Sequence, residues 1–427
     1  MAAGYIEDRW LTKRPDPETG KRRRTTRYGV GKRYRVAGIP GVRDLSFSAL
    51  EDAKQWRATA QTNARRGEHI DPRDGAILLS EYIETHWWPA RTDPPSTREA
   101  LRSRVWGHII PYLGRLPLSA IGVETLRVWV ADASKRMGVI SVRVAWTTLS
   151  GILQTAVDEG RIPKNHAKSR SITLPKVPEK KARAWTADRV AAVRAGLPER
   201  YRIMVDIGAG AGLRQGEVFG LSPDDVDHEA GVIHVRRQVL SVRSRLYYSL
   251  PKGARERDVP AAPELLRRIE EHVKAFPPGV VDLPWGDPDA PENEVQARQR
   301  RPQAHRLLVT STLGNGISRN TWNTWAWKPA LVKAGLIAPL PEGQGRRRTW
   351  EESRALGFHS MRHTFASTML QAGESIITLA QWLGHRDPGF TLRTYTHFLP
   401  EAGSRGVPAM DRWLTDSEPN SPQTPQG

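Results

Sequence analysis

A Pro- and Lys-rich segment, TLPKVPEKKAR at residues 173–183, divides this chain into stretches that cannot share one core. It lacks periodic apolar residues, so it is predicted to be an interdomain linker. Residues 75–172 before it are predicted to be all helical, whereas residues 184–405 after it mix helical and strand patterns. With 427 residues, the chain is long enough for two or three domains. We therefore predict a multidomain α+β protein.

Amphipathic helices account for most of residues 75–172, because apolar residues recur there at three- and four-residue spacing. The stretch HIIPYLGRLPLSAI at residues 108–121 contains Pro and Gly and is predicted to be a turn between helices. The Trp residues are predicted to anchor the core of this all-α domain. The predicted helices are Ile77–Trp88, Thr97–Ile109, Val123–Ala133 and Ser141–Glu159, and the Trp residues are Trp87, Trp88, Trp106, Trp129 and Trp146.

Residues 1–72 are predicted to form a small β-sheet backed by one helix. Strand-like runs at Arg27–Val30 and Arg33–Val36 are separated by a Gly, which suits a turn. A helix is predicted to begin near Ser48 and to end at Gly67, because Gly commonly follows the last helical residue. This pattern describes a separately folding unit at the N-terminus.

Residues 184–405 are predicted to form a mixed, mainly α domain that contains a three-stranded β meander. Lys252 lies in the predicted turn before the last of these strands. Residues 277–306 are rich in Pro, Asp and Arg and are predicted to be a loop insertion, and residues 406–427 a C-terminal segment with a disordered tail. The predicted strands are Val232–Gln238, Leu246–Leu250 and Arg257–Pro260.

The composition excludes several kinds of site. The chain has no Cys, so disulfides, thiolate metal sites and a Cys nucleophile are excluded. No run approaches the roughly 20 apolar residues of a membrane helix, and the first residues lack the apolar run of a secretory signal. We therefore expect a cytoplasmic protein without a membrane partner.

The net charge of +19 predicts a polyanionic partner. Charge alone leaves DNA, RNA and an anionic membrane open. The run Lys21-Arg22-Arg23-Arg24 in the N-terminal unit could be an ordinary solvated loop. Its flanking strands favour phosphate contact, so these four residues are predicted to contact the phosphates of the partner, with DNA among the polyanions that the charge leaves open.

Arg214 and Lys252 are the first two candidates for a phosphate site in the last domain. Arg214 follows the apolar helix Met204–Ala211 and Gly212, and Glu217 three positions later could hold its local frame. Lys252 lies in a turn, which can deliver a cation into a groove. Taken singly, a surface salt bridge and a solvated turn lysine are the more ordinary explanations of these residues.

His359 and Arg362 are three positions apart, so on a helix they share a face and could both point at one anion. His359 and His363 have the i, i+4 spacing of a metal-binding pair. No carboxylate follows at a suitable spacing and Cys is absent, so we do not predict a metal site.

His385 and Tyr395 complete the set of candidates. Gly384 suits the C-terminal end of a helix, which would place His385 just beyond that end. Tyr395 follows ten residues later. A single Tyr is far more often a core residue than a nucleophile, so Tyr395 gains its meaning from the residues before it.

In this order and spacing, the candidates resemble the tyrosine recombinase (phage integrase) family, of the type found in actinobacterial phages and mobile elements. The resemblance covers the whole chain: residues 75–172 look like the family's core-site DNA-binding domain, and residues 1–72 like its arm-binding domain. Two departures are the 277–306 insertion and Ser360, where the family often has an acidic residue. The motifs are AGLRQGEVFGL around Arg214, LPKGARERDVP around Lys252, GFHSMRHTFAS around His359 and Arg362, WLGH around His385, and TYTHF around Tyr395.

The resemblance implies that Tyr395 attacks a DNA phosphodiester and forms a 3′-phosphotyrosine, which a second DNA 5′-hydroxyl then resolves. Arg214 and Arg362 would hold the non-bridging oxygens in place of metal ions, so no cofactor is expected. The other implied roles are a base or its hydrogen-bond assistant for His359, a general acid for Lys252, a phosphate hydrogen bond for His385 and support of the site for Glu217.

The implied partners are double-stranded DNA attachment sites and three further copies of the chain in a synaptic tetramer. A host DNA-bending protein and an excisionase are possible further partners, and the implied location is the nucleoid of a bacterial host. Two alternatives stay open: a type IB topoisomerase-like enzyme, and a DNA-binding protein with a decayed active site. A serine recombinase is disfavoured, because no candidate Ser lies among the clustered Arg residues.

Overall fold

The computed structural model describes residues 4–66, 71, 73–177, 183–339, 350, 354–395 and 406–416. The chain divides into two compact units, the first made of residues 1–93 and 97–178 and the second of residues 94–96 and 179–427. Within the described ranges, every helix is too short or too polar to cross a membrane. Gly67, predicted to end the first helix, lies outside the described residues.

The first unit begins with an antiparallel three-stranded sheet in the order β1-β2-β3. Val36 of the central strand pairs with Ile6 on one side and Leu45 on the other. One helix covers the sheet, and its buried Ala53 and Ala60 pack with Val36. The predicted sheet backed by one helix is therefore confirmed. The elements are β1 (Tyr5–Asp8), β2 (Tyr34–Ala37), β3 (Leu45–Phe47) and α1 (Leu50–Arg66).

The strand predicted at Arg27–Val30 is wrong, because these residues form a turn. Gly29 and Gly31 both have positive φ, at 78° and 66°, a backbone conformation that interrupts an extended strand. The true first strand, Tyr5–Asp8, lies at the start of the chain instead. Between these segments Leu11 and Arg24 form an antiparallel bridge, which arranges the basic run as one arm of a hairpin.

The rest of the first unit is a helical bundle around one apolar core. All of its Trp residues contribute to this core, as predicted: Trp87, Trp129 and Trp146 are buried, and Trp88 and Trp106 pack against the buried set. The helices are α2 (Leu79–Tyr82), α3 (Pro95–Arg104), α4 (Ile110–Leu113), α5 (Val123–Arg136) and α6 (Val139–Asp158), with π-helical turns at Ile83–Trp87 and Val105–Ile109.

The turn predicted at residues 108–121 begins later than expected. A π-helical turn at Val105–Ile109 joins α3 to α4, so the chain stays helical past Pro111 as far as Leu113. Pro111 stands in the first turn of α4, where the missing N–H of proline is tolerated. The change of direction follows at Gly114.

The second unit is mixed and mainly helical, as predicted. Helix α8 is buried along Ile203–Gly208 and packs against both α14 and α10. Its helices are α7 (Ala187–Gly196), α8 (Glu199–Gly210), α9 (Gln215–Phe219), α10 (Pro263–Ala275), α11 (Glu294–Gln299), α12 (Arg319–Trp322), α13 (Lys328–Lys333), α14 (His359–Ala372), α15 (Ile376–Leu383), α16 (Pro388–Tyr395) and α17 (Gly406–Asp416). Its strands are β4 (Val226–Asp227), β5 (Val232–Val235), β6 (Gln238–Val242), β7 (Arg245–Ser249), β8 (Arg257–Pro260), β9 (Gly279–Leu283) and β10 (Gln303–Leu307).

The strands of this unit pair differently from a simple three-stranded meander. Strand β5 pairs with β4 and with β8, whereas β6 and β7 form a separate hairpin inserted between β5 and β8. Arg243 and Ser244 close that hairpin with positive φ, which allows a turn of two residues. Lys252 lies between β7 and β8 in a turn, as the sequence predicts.

The predicted loop insertion at residues 277–306 is instead folded. Strands β9 and β10 pair in antiparallel register, with Val281 opposite His305, and helix α11 lies between them. Buried Val281 and Leu307 join the core of the unit. Tyr248 donates a hydrogen bond to the Val281 carbonyl at 2.9 Å. The prediction failed because the Pro- and Asp-rich composition of the whole segment outweighed two short runs, Gly279–Leu283 and Gln303–Leu307, that pair as strands.

Candidate active site

Arg214 is positioned by a sharp turn between α8 and α9. Gly212 in this turn has a φ of +64°, and a Cβ there would lie 2.5 Å from the Phe365 ring, so only Gly fits. The Arg214 N–H donates to Glu217 Oε2 at 2.8 Å, and its Nη1 donates to Oε1 at 2.9 Å. Glu217 therefore holds Arg214 in the way that the three-residue spacing predicts.

Glu217 also binds Arg257, a residue that the sequence pattern did not single out. Arg257 Nη1 and Nη2 donate to the two Glu217 oxygens at 3.0 and 2.6 Å. The Glu217 side chain is fully buried and that of Arg257 is 8% exposed. Burial by itself would raise the pKa of the Glu217 carboxyl, but the hydrogen bonds and charge of Arg257, with the charge of Arg214, lower it to about 2.

Arg257 joins three segments that carry candidate residues. Its Nε donates to the Trp382 carbonyl at 2.6 Å, near the end of the helix that precedes His385. Through Glu217 it contacts the start of α9, and its own strand follows the turn that holds Lys252. The sequence contains one signal for it. Arg257 lies two positions before Val259, which is fully buried, so both side chains point to the inner face of the strand.

Arg362 lies in the first turn of α14 and is 1% exposed. Its Nη1 donates to the Gly212 carbonyl at 2.8 Å, and its Nη2 donates to the Leu383 carbonyl and to His385 Nε2, the latter at 3.1 Å. Burial and the nearby charge of Arg214 lower the pKa of the Arg362 guanidinium to about 9. Arg362 thus ties the Arg214 turn to the His385 turn.

His385 lies just beyond the end of α15, where Gly384 takes the left-handed conformation at φ 63° and ends the helix, as predicted. Because Arg362 can only donate, His385 Nε2 accepts and the imidazole proton lies on Nδ1. Nδ1 then donates to Thr391 Oγ1 at 2.7 Å. Burial, with the charges of Arg362 and Arg214, lowers the pKa of His385 to about 3, so the ring is neutral.

Tyr395 is the last residue of α16 and is 2% exposed. Its hydroxyl lies 2.8 Å from Nδ1 of His363, and the ring centroids are 5.6 Å apart. Burial raises the pKa of the Tyr395 hydroxyl to about 12, while the charges of Arg362 and Arg214 act in the opposite direction. The sequence pattern gave His363 no part in this site, because it treated the residue only as a metal-ligand candidate.

His359 and Lys252 lie on the exposed side of the site. The rings of His359 and His363 meet edge to face, with centroids 4.7 Å apart. Partial desolvation, followed by the charges of His363, Arg362, Arg214 and Lys252, lowers the pKa of His359 to about 4. Lys252 is itself exposed, and its charge acts on His359. Each of the six predicted residues of the last domain therefore interacts electrostatically with at least one other.

The basic run of the first unit is exposed, but its members differ. Arg23 forms an ion pair with the buried Asp16, and the Arg24 guanidinium lies 4.1 Å from the centre of the Tyr28 ring. The side chains of Lys21 and Arg22 are exposed to solvent.

Such a group of side chains suits phosphoryl transfer. Arginine guanidiniums can bind the non-bridging oxygens of a phosphodiester, and a hydroxyl beside a histidine can be deprotonated as it attacks. In the part of the chain that the structure describes, no three His, Asp or Glu side chains are grouped so that they could hold a metal ion. The described side chains are those that an enzyme transferring a phosphodiester through a tyrosine hydroxyl would need.

The chain belongs to the phage integrase family, because the family model matches residues 188–401, which is half of the chain. It is therefore a site-specific recombinase of the tyrosine type, an enzyme that breaks and rejoins DNA. The family predicted from the sequence motifs is therefore confirmed.

Curated relatives match most of the chain. The integrase of Mycobacterium phage D29 is 25% identical over 384 residues, which cover 87% of this chain and 91% of the relative. A tyrosine recombinase XerC-like protein of Caldanaerobacter subterraneus is 26% identical over 81% of this chain and 85% of its own length. The putative prophage phiRv2 integrase of Mycobacterium tuberculosis is 26% identical over 82% of this chain and 84% of its own length.

Solved structures share the fold. The Tn1549 transposon integrase in complex with transposon right end DNA matches with a TM-score of 0.59 and 17% identity, over 79% of this chain and all of that one. A lambda integrase tetramer bound to a Holliday junction matches with a TM-score of 0.52 and 14% identity, over 87% of this chain and 93% of that one. The predicted multidomain α+β fold is thereby confirmed.

Proposed function

We propose that this chain integrates the DNA of a phage or another mobile element into a bacterial chromosome, with Tyr395 as the nucleophile. The observation that carries the proposal is the grouping of these side chains. The charges of Arg214 and Arg362 both favour ionisation of the Tyr395 hydroxyl, and Arg362 also donates a hydrogen bond to His385. The hydroxyl attacks a DNA phosphorus, giving a 3′-phosphotyrosine and a free 5′-hydroxyl. A 5′-hydroxyl of the second duplex then reverses the step, so the phosphoester is conserved and no ATP is used.

Arg214 and Arg362 bind the non-bridging oxygens as negative charge develops on them. Three N–H groups of Arg362 point at Gly212, Leu383 and His385, so two of its five N–H groups lie outside these contacts. Glu217 holds Arg214 through two hydrogen bonds, which fixes the direction of that guanidinium before DNA arrives. No cofactor takes part in this mechanism.

Lys252 is the general acid that protonates the leaving 5′ oxygen. It lies in an exposed turn, so it can follow the DNA backbone into the site. His385 binds a phosphate oxygen, for which its proton moves to Nε2 and the Thr391 hydroxyl donates to Nδ1. The N–H of Arg362 that donated to Nε2 then turns to the phosphate as well. His359 assists deprotonation of the nucleophile at the exposed edge of the site.

The first unit supplies the further DNA contacts. Residues 75–172 bind the core site around the point of cleavage, and residues 1–72 bind a separate arm site. Lys21 and Arg22 are the best arm contacts, because Arg23 and Arg24 already have partners in Asp16 and Tyr28. Replacing both with Ala should reduce the slope of log affinity against log salt by roughly 2 on arm-site DNA. Lys54→Ala on α1 is the matched control, and an unchanged slope in the double variant would exclude this surface.

Recombination requires four cleavages, so four copies assemble on two duplexes. Helix α17 supports this assembly, since Val407, Met410 and Leu414 give it an exposed apolar side that a second copy could cover. The site of action is the nucleoid in the host cytoplasm, and a host DNA-bending protein and an excisionase are the expected accessory factors. The test is Met410→Asp, which places a charge on this apolar side and keeps the rest of the chain. Normal recombination by this variant would exclude docking through α17.

The test of the proposed function is integration in a living cell. A non-replicating plasmid that carries the gene and its adjoining DNA is introduced into a bacterial strain without the element. We expect insertion at one chromosomal site with joined ends that sequencing can define, and no insertion with Tyr395→Phe. Scattered insertion, or insertion that survives this substitution, would contradict the proposal. Relaxation of supercoiled plasmids without those joined sequences would favour a topoisomerase instead.

A further inference from the structure

His363, the residue directly after Arg362, contacts the reacting atom of the proposed nucleophile. Its Nδ1 lies 2.8 Å from the Tyr395 hydroxyl, a distance typical of an O–H···N hydrogen bond. The residue is half-buried on α14, so the contact is partly shielded from water. Helical geometry explains the arrangement: successive residues point about 100° apart, so Arg362 faces the core while His363 faces α16.

We propose that His363 is the catalytic residue that accepts the Tyr395 proton during cleavage and returns it during rejoining. This inference rests on the proposed function, because it assigns a role within that reaction. In the neutral ring the proton lies on Nε2, which leaves Nδ1 as an acceptor for the phenol.

The protons balance over the two steps. In cleavage, the Tyr395 O–H bond breaks as the O–P bond forms, and the proton moves to His363 Nδ1. Lys252 gives a proton to the leaving 5′ oxygen. In rejoining, the attacking 5′-hydroxyl returns a proton to Lys252, and His363 returns its proton to the departing phenolate. The enzyme therefore ends each cycle in its starting protonation state.

An acceptor in contact with the hydroxyl is needed because the phenol does not ionise by itself. The pKa of Tyr395 is raised to about 12 by burial, so only a minute fraction is phenolate at neutral pH. A positioned base removes this obstacle as the bond to phosphorus forms, and such catalysis contributes roughly 10²- to 10⁴-fold to a rate.

His359 then acts through its neighbour. Its ring lies edge to face against His363, and positive charge on His363 is among the causes that lower the pKa of His359. A proton on one ring therefore disfavours a proton on the other. His359 remains neutral while His363 is protonated, and it serves to position His363 rather than to take the proton.

The test compares two single variants on a suicide substrate with a normal or a 5′-bridging phosphorothiolate leaving group. We expect His363→Ala to slow formation of the covalent adduct on the order of 100-fold or more, with DNA affinity unchanged. Added imidazole should restore much of that rate, because it can occupy the vacated space and accept the proton. The phosphorothiolate should not restore it, since a better leaving group does not replace a base.

Lys252→Ala is the counterpart and should show the reverse pattern, with rescue by the phosphorothiolate and none by imidazole. His228→Gln, an exposed histidine paired with Glu270, is the matched control and should behave as the unsubstituted protein. Rescue of His363→Ala by the phosphorothiolate, or a normal rate without imidazole, would overturn the inference. Adduct formation by Tyr395→Phe would instead overturn the proposed function, so the two failures can be told apart.

Discussion

The inner and outer sides of the candidate active site are built differently. On the inner side, Glu217, Arg257 and Arg362 are almost completely buried. Arg257 donates hydrogen bonds to Glu217, and Arg362 donates one to the Gly212 carbonyl in the turn before Arg214. On the outer side, Lys252 and His359 are exposed. A buried charge is costly unless its partners are complete, whereas an exposed charge is stabilised by water. The inner side therefore fixes geometry before DNA binds, and the outer side can adjust to the DNA.

The largest difference should appear in stability when one partner is removed from each kind of ion pair. Glu217→Gln leaves Arg257 buried and charged without its carboxylate, so the free energy of unfolding should fall by about 3–5 kcal/mol. Glu264→Gln removes a carboxylate from the exposed pairs with Arg267 and Arg268 and should cost far less, because water replaces the lost partner. Urea unfolding of both variants measures the difference. Equal losses would show that the inner network does not stabilise the fold.

The next effect concerns catalysis. Arg362→Ala should reduce the rate of covalent intermediate formation on the order of 10²- to 10³-fold or more, because a charge-assisted contact to the phosphate is lost. The loss should exceed that of Lys252→Ala measured with a phosphorothiolate substrate, where the acid is no longer needed. Single-turnover cleavage at saturating protein separates this effect from weaker DNA binding. A smaller loss of rate for Arg362→Ala than for Lys252→Ala would contradict the larger catalytic contribution that we assign to the inner side.

Acid should destabilise the inner side in two stages. The pKa of His385 is lowered from 6.5 to about 3 in the folded chain. Between these pH values the unfolded chain binds a proton at His385 and the folded chain does not, so the free energy of unfolding falls as the pH falls. The pKa of Glu217 is lowered from 4.5 to about 2, so its contribution is complete above about pH 4.5 and is lost as the pH falls towards 2. The unfolding midpoint should therefore fall less steeply with acid between pH 6.5 and 4.5 in His385→Gln, where His359 still contributes, and less steeply below pH 4.5 in Glu217→Gln. The same slope in all three proteins would contradict this assignment.

The smallest expected effect is that of a chelator. Arg214 and Arg362 supply the positive charge in our mechanism, so excess EDTA should leave the rate of covalent adduct formation unchanged. A strict requirement for Mg²⁺ in cleavage itself would replace the arginine-based mechanism with a metal-based one.

Sequence reasoning succeeded where the relevant contact is local. Glu217 was placed beside Arg214 by a three-residue spacing, and Gly384 was placed at a helix end by its own conformational freedom. It did not find Arg257, whose partner at Trp382 lies 125 positions away. Helical periodicity also could not choose between His359 and His363, because residues four positions apart share a face. Only the position of α16 decides which of them meets Tyr395.

The fold shows the same division. The helix–sheet pattern of the first unit follows from apolar spacing, whereas the turn at Arg27–Val30 depends on Gly29 and Gly31 taking positive φ. The hairpin of β9 and β10 pairs segments separated by a helix, and its register depends on Val281 reaching the core. Such long-range pairings are decided by burial and not by the local pattern.

The most direct test of the account is to identify the residue that becomes joined to DNA. A suicide substrate built from the sequenced integration junction should trap a covalent adduct, and peptide mapping should place the 3′-phosphate on Tyr395. Tyr395→Phe should bind this DNA normally and form no adduct, whereas Tyr201→Phe, a matched change in the same unit, should form it at the usual rate. An adduct on another residue, or one that persists in Tyr395→Phe, would contradict the account.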